Sequence, residues 1–197
     1  MDGFDPGSLD EMKAYLMRQR PYASFYDWHD RKVKERGIVT EFVRLMYGRF
    51  SDPSISITSC QSDPPDCVIL VNDTRIAVEV TELVDRDFLE RVVRAKEERG
   101  ENFIAYDWAE WTRDKFFDAI KNRLCAKAKP KEVFGGPYSE YFLLIHTAEP
   151  GLDPNLCRDW LTEFAFRGAG IISSAYILFD YRPGVFLRVV EIPLADS

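Results

Sequence analysis

Two short apolar segments on either side of an Asn72-Asp73-Thr74 turn constrain the fold more than any other part of this sequence. Residues 65–71 and 75–83 are rich in β-branched side chains, and the Asn/Asp turn between them predicts a β-hairpin. Period-two alternation in the second segment sets Glu79 on the face opposite Val78, in the middle of an otherwise apolar strand. A buried acid without a partner is costly, so Glu79 is predicted to be a functional acid rather than an ion-paired or edge-strand residue.

Asp66 opens the strand that pairs with the strand carrying Glu79. Two carboxylates on neighbouring strands repel each other unless a proton or a cation lies between them. Taken alone, an Asp after Pro64-Pro65 is also typical of an ordinary turn. The pair, more than either acid, indicates a metal site.

Length and composition predict one soluble domain spanning residues 1–197, with residues 1–26 as an N-terminal helical extension. The chain is 46% hydrophobic, enough for one sizeable core, and no apolar run reaches the ~18 residues of a membrane helix. The first residues lack the basic and apolar regions of a signal peptide, so we expect a cytoplasmic protein with no membrane association. The four cysteines are widely spaced and are predicted to be free thiols.

The distribution of charge along the chain indicates what kind of molecule the protein could bind. A net charge of -7 argues against a protein that coats nucleic acid without specificity. Residues 113–131, however, hold seven basic and two acidic side chains. This local basic face is compatible with phosphate contacts, although a solvated helix face is the commoner explanation.

Changes along the chain in the spacing of the apolar residues predict a single mixed α/β domain. Its elements are predicted in the order helix, three strands, helices, strand, helix, two strands. Asp85, Thr112 and Asp153 are expected to cap helices. The predicted helices cover about residues 8–20, 24–50, 85–100, 112–129 and 153–164, and the predicted strands cover 54–59, 65–71, 75–83, 141–146, 175–180 and 185–192.

This order of elements, together with Pro65-Asp66 and Glu79-Val80-Thr81, resembles the PD-(D/E)XK nuclease superfamily over roughly residues 27 to 147. The resemblance implies a restriction-endonuclease-like αβββαβ core, with a mixed central sheet flanked by helices. The later helix and β-hairpin are then additions to that core.

The resemblance also implies roles for particular residues. Asp66, Glu79 and the carbonyl of Val80 would be the ligands of Mg²⁺ or Mn²⁺. Glu41, in the helix before the strands, occupies the place of a supporting acid. Thr81 stands where the family has a lysine, and it would hydrogen-bond the attacking water. The implied reaction is hydrolysis of a phosphodiester bond in nucleic acid, with DNA expected over RNA. The oligomeric state stays open, and a homodimer is one option because many nucleases of this fold pair up.

Thr81 is the point at which the sequence departs from the family, because a hydroxyl cannot act as an ammonium. Three explanations stay open: another polar group reaches the site, the metal alone activates water, or catalysis has been lost. The lysines considered for the first explanation, on charge alone, are Lys32, Lys34, Lys115, Lys121 and Lys127.

Two other functions stay open beside the nuclease. The first is a catalytically inactive protein of this fold that serves as a nucleic-acid-binding or regulatory module. The second is a small α/β protein whose acids pair with arginines such as Arg75. Among further residues, His146 is expected to be a core histidine, and Trp108 and Trp111 are expected in the core more than in base stacking.

Overall fold

The computed structural model describes residues 31–48, 55–99, 110–130, 132–149 and 151–195. The predicted helix at 8–20, the whole 1–26 extension and Trp108 lie outside these residues. The same is true of both ends of the predicted 24–50 helix.

The described strands form one six-stranded sheet in which the spatial order follows the chain order, β1 to β6. Strands β3, β4 and β5 run parallel to one another, while β1–β2, β2–β3 and β5–β6 are antiparallel pairs. The sheet is therefore mixed, and the prediction of an α/β fold is confirmed. The strands are β1 Ile55–Ser59, β2 Cys67–Val71, β3 Thr74–Glu82, β4 Glu140–Thr147, β5 Ser174–Phe179 and β6 Val189–Ile192.

Three of the described helices begin where the sequence provides caps. The Thr112 hydroxyl accepts a hydrogen bond from the Lys115 N–H at 3.3 Å, and Asp153 accepts from two N–H groups of the following turn. Asp85 likewise accepts from the Phe88 N–H at 3.1 Å, so all three predicted caps are confirmed. The helices are α1 Arg31–Tyr47, α2 Arg86–Arg99, α3 Arg113–Lys127 and α4 Pro154–Leu161.

The hairpin between β2 and β3 closes with two residues. Asn72 and Asp73 have φ values of 45° and 67°, the left-handed region that two-residue hairpin turns require and that Asn and Asp tolerate. Thr74, predicted in the turn, is already the first residue of β3. A short turn fixes the register of the two strands, and this register determines which acids face each other.

Each face of the sheet has its own core. On one face Ile38 and Phe42 of α1 pack with Ile69 and Val78 of the sheet. On the other face α3 and α4 pack against β3, β4 and β5, with Phe116 fully buried. Burial of a side chain such as Phe116 contributes about 1.5–3 kcal/mol, so the sheet is held between two apolar layers.

Two apolar predictions differ from the structure. The spacing of Ile38, Phe42, Leu45, Met46 and Phe50 predicts one apolar stripe on the helix, but Met46 is 46% exposed, because α1 is near its end there. Strand β6 begins at Val189 instead of residue 185. In the preceding turn, the Arg182 guanidinium donates to the carbonyls of Glu149 and Leu152, which lie in the loop before α4.

No helix in the described ranges is both long and apolar enough to cross a lipid bilayer.

Candidate functional site

Strand pairing brings Asp66 and Glu79 together. Cys67 lies opposite Val78, and the Asp66 N–H donates to the Val78 carbonyl at 3.1 Å, which continues the ladder by one residue. The Asp66 carboxylate then accepts the Val80 N–H at 2.8 Å. The two acids therefore meet at the start of β2, where β3 extends beyond its partner.

A third acid, Asp63, completes what we call the acidic cluster: Asp63, Asp66 and Glu79. One carboxylate oxygen from each residue lies within 4.8 Å of the other two. The side chains of Asp66 and Glu79 are only 2% exposed, whereas that of Asp63 is 50% exposed and forms the solvent side of the cluster. The sequence analysis did not single out Asp63, although it lies only three residues before Asp66.

Two cations contact the acidic cluster. The Arg31 guanidinium, at the start of α1, lies 3.3 Å from Asp63 Oδ2 and 3.4 Å from Asp66 Oδ1. The Lys127 ammonium, in the last turn of α3, forms an ion pair with Glu79 Oε1. Lys127 was one of several lysines considered on charge alone, and the described structure brings this one to Glu79.

Glu35 of α1 extends the negative charge on the side of Arg31. Its side chain is 7% exposed, and its carboxylate accepts a hydrogen bond from Arg31 Nε at 2.5 Å. Burial, followed by the charge of Asp66, raises the pKa of Glu35 to about 7. Sequence reasoning missed Glu35, although its spacing of three, four and seven residues from Ile38, Val39 and Phe42 puts it on the buried stripe of the helix.

The electrostatics of this region favour an additional positive charge. Burial raises the pKa values of both Asp66 and Glu79, and for Glu79 the negative charge of Asp66 adds to the effect. The cluster and Glu35 together have four carboxylates, whereas Arg31 and Lys127 supply two positive charges. If all six groups are ionised they leave a formal charge of -2, which a divalent cation would neutralise.

Glu41, predicted as the supporting acid, lies elsewhere. Its carboxylate accepts from Arg44 Nε at 2.8 Å and forms a buried ion pair with Arg188. Burial opposes ionisation of Glu41, but the hydrogen bonds from the two arginines outweigh it and hold the pKa of Glu41 below its ordinary value. Among the described residues Glu41 is not a member of the acidic cluster.

Val80 and Thr81 follow Glu79 along β3. The N–H and carbonyl of a strand residue point to the same side, so the Val80 carbonyl is directed to the side of β3 that Asp66 occupies. Thr81 is half-buried and lies on the same face of the sheet as Glu79. The roles of Val80 as a ligand and of Thr81 as a water-binding residue stay predictions.

Three other residues named in the sequence analysis, Arg75, Trp111 and His146, make contacts that hold the fold together. Arg75 donates to the carbonyls of Gly135 at 2.8 Å and Pro137 at 3.4 Å. The arginine that contacts the acids of the cluster is Arg31. The Trp111 indole N–H donates to Glu149 at 3.2 Å in the core. His146 is fully buried in β4, as expected.

Comparison of this chain with protein-family models, curated proteins and solved structures finds no match. Its function is therefore inferred from the acidic cluster and the side chains around it.

The acidic cluster could hold a metal ion. Its three carboxylates, with the nearby Val80 carbonyl, are oxygen donors of the kind that bind hard divalent cations. Its exposed side, at Asp63, leaves room for water or a substrate oxygen.

Proposed function

We propose that this chain is a metal-dependent phosphodiesterase of the PD-(D/E)XK type that acts on nucleic acid. Its restriction-endonuclease-like core would consist of α1, β1, β2, β3, α3 and β4. The observation that carries the proposal is the meeting of Asp66, Glu79 and Lys127 at the start of β2. Two close acids and an ammonium are the groups that a metal-assisted phosphodiester hydrolysis needs.

The proposed ligands are Asp66, Glu79 and the Val80 carbonyl, with Asp63 at the exposed side. Mg²⁺ or Mn²⁺ bound there would supply positive charge to the phosphate and lower the pKa of a water molecule. Asp66 is held in place for this task by the Val80 N–H, and Glu79 by Lys127. Fixed ligands of this kind require little rearrangement when the substrate binds.

Lys127 takes over the role that the family lysine would have on β3. Its ammonium is beside Glu79 and partly exposed, so it can donate a hydrogen bond to the attacking water or to a phosphate oxygen. Thr81, on the same face, contributes a hydroxyl. Glu35 replaces Glu41 as the helix acid in this proposal, because it shares Arg31 with Asp66.

A second candidate is the inactive binding or regulatory module. It is supported by the ion pairs that Arg31 and Lys127 already make with the cluster, since these partly neutralise the acids without a metal. The two candidates differ in whether a divalent ion is required.

Thermal melts with and without Mn²⁺ or Mg²⁺, followed by incubation with plasmid and RNA, test the proposal. At about ten times the Kd, the ion should raise the Tm of the wild type by about 3–6 °C. Asp66→Asn and Glu79→Gln should lose this rise. Asp73→Asn, at the exposed hairpin turn, is a matched control that should keep it.

Cleavage by the wild type that Glu79→Gln lacks would establish the enzyme. A rise in Tm without cleavage would favour the binding module. If neither the melts nor the substrates respond to the ions, the acids are a structural ion-pair network and the proposal is wrong.

A further inference from the structure

A groove of about 490 Å³ opens over β1 and β2, beside the acidic cluster. Its floor is formed by side chains from three adjacent strands, because Thr58 lies opposite Val68, and Leu70 lies opposite Arg75. Strand alternation puts these residues on the same face of the sheet as Glu79. The groove and the cluster thus share one face.

The groove adjoins the cluster directly. Cys60 and Gln61 are part of its wall, and the Cys60 N–H donates to the Asp66 carbonyl at 2.9 Å. On the other side, the Phe134 N–H donates to the Pro64 carbonyl at 3.0 Å. A ligand in the groove would therefore extend away from the acids on a fixed path toward Arg75.

The lining combines aromatic, cationic and hydroxyl groups. Phe134 is 38% exposed, and the Arg75 guanidinium lies 5.0 Å from the centre of the Tyr138 ring. Hydrogen bonds to two carbonyls hold that guanidinium in place. A guanidinium has five N–H donors, which is more than these two contacts use. Ser56 and Thr58 add hydroxyls from β1. An aromatic surface beside a cation suits a base and its phosphate, while hydroxyls suit a sugar.

We propose that this groove binds single-stranded nucleic acid and holds the nucleotide that flanks the cleaved phosphodiester bond. The inference rests on the proposed function, since it takes the acidic cluster as the place of cleavage. A single strand is favoured over a duplex because the groove has the volume of a small-molecule site, and because paired bases are stacked on each other and cannot lie on Phe134 or Tyr138. Arg75 would contact the phosphate on the far side of that nucleotide.

The test is fluorescence anisotropy with a short labelled single-stranded DNA, in EDTA so that no cleavage occurs. Thr58→Glu puts a negative charge into the groove, and we expect it to raise the Kd about tenfold by repelling phosphates. Thr162→Glu is the matched control, because it makes the same change of charge at the exposed end of α4 and should leave the Kd unchanged. Ser56→Glu, also exposed on β1, replaces Thr58→Glu if that variant does not fold.

The inference is overturned if the groove variant binds as tightly as the control, or if the wild type does not bind the single strand at all. Tighter binding of duplex than of single strand, unaffected by Thr58→Glu, would also overturn it. These outcomes are separate from the proposed function, which depends on cleavage with Mn²⁺ and its loss in Glu79→Gln. A protein that cleaves but binds without the groove would retain the first proposal and lose this one.

Discussion

Lys127 in the last turn of α3 forms an ion pair with Glu79 in the middle of β3, across 48 positions of sequence. The Tyr141 hydroxyl, on the neighbouring strand, donates to the second oxygen of the same carboxylate at 3.4 Å. The buried charge of Glu79 is therefore compensated by a helix and an adjacent strand, and not by its own strand.

Removing the Lys127 ammonium should destabilise the protein. In Lys127→Met the Glu79 carboxylate loses its cation, and because Lys127 is partly exposed we expect a loss of about 1–3 kcal/mol in the free energy of unfolding. Urea denaturation measures this. Lys121→Met, at an exposed position of the same helix, is the control and should change stability little; equal effects of the two variants would contradict the ion pair as a source of stability.

The same substitution separates catalysis from metal binding. If Lys127 acts on the water or the phosphate, Lys127→Met should reduce cleavage at least about 100-fold. It should still gain thermal stability from Mn²⁺, because the proposed ligands remain. Unchanged cleavage, with Lys121→Met as the reference, would remove Lys127 from the mechanism.

Glu41 is expected to stabilise the fold and to have no part in metal binding. Glu41→Gln leaves the buried Arg188 without its anion, and we expect it to lower the free energy of unfolding by about 3 kcal/mol. The rise in Tm with Mn²⁺ should equal that of the wild type. Loss of the rise in this variant would restore Glu41 as a ligand of the site.

His146 should make stability fall as the pH falls. Burial lowers the pKa of His146 to about 4, so between pH 6.5 and 4 the unfolded chain takes up a proton that the folded chain does not. The free energy of unfolding should therefore decrease by about 3 kcal/mol over this range because of His146 alone. Urea titrations of wild type and His146→Leu at pH 7 and pH 4.5 measure the effect, since groups that do not interact with His146 cancel in the difference. Parallel pH dependence in the two proteins would show that His146 does not contribute.

The order of elements and the helix caps were predictable because their signals are local. Asp85, Thr112 and Asp153 act within one helical turn, and the alternation around Glu79 spans a few residues. The partners of the acids were not predictable, since they depend on how elements pack. Arg31 lies 35 positions from Asp66, and only the docking of α1 on the sheet brings them into contact.

The sequence also could not show which acid of α1 lies near the acidic cluster. Both Glu35 and Glu41 fall on the buried side of α1, and the sequence offers no choice between them. Their difference comes from what lies opposite: Glu35 shares Arg31 with Asp66, whereas Glu41 meets Arg188. The neighbours of each acid in three dimensions, more than the residue type, determine that Glu35 lies beside the acidic cluster and that Glu41 stabilises the fold.

The contact between Glu41 and Arg188 joins positions 147 apart. During synthesis α1, β1, β2 and β3 emerge from the ribosome long before Arg188 does, so of the two partners that the described structure gives Glu41, the growing chain at first offers Arg44. We expect protease protection of α1 in ribosome-stalled chains to increase once Arg188 has emerged, and no increase at that point would contradict this view. Arg188, the residue before β6, therefore secures the side of α1 that carries Glu41 only once the C-terminal part of the described sheet has been translated.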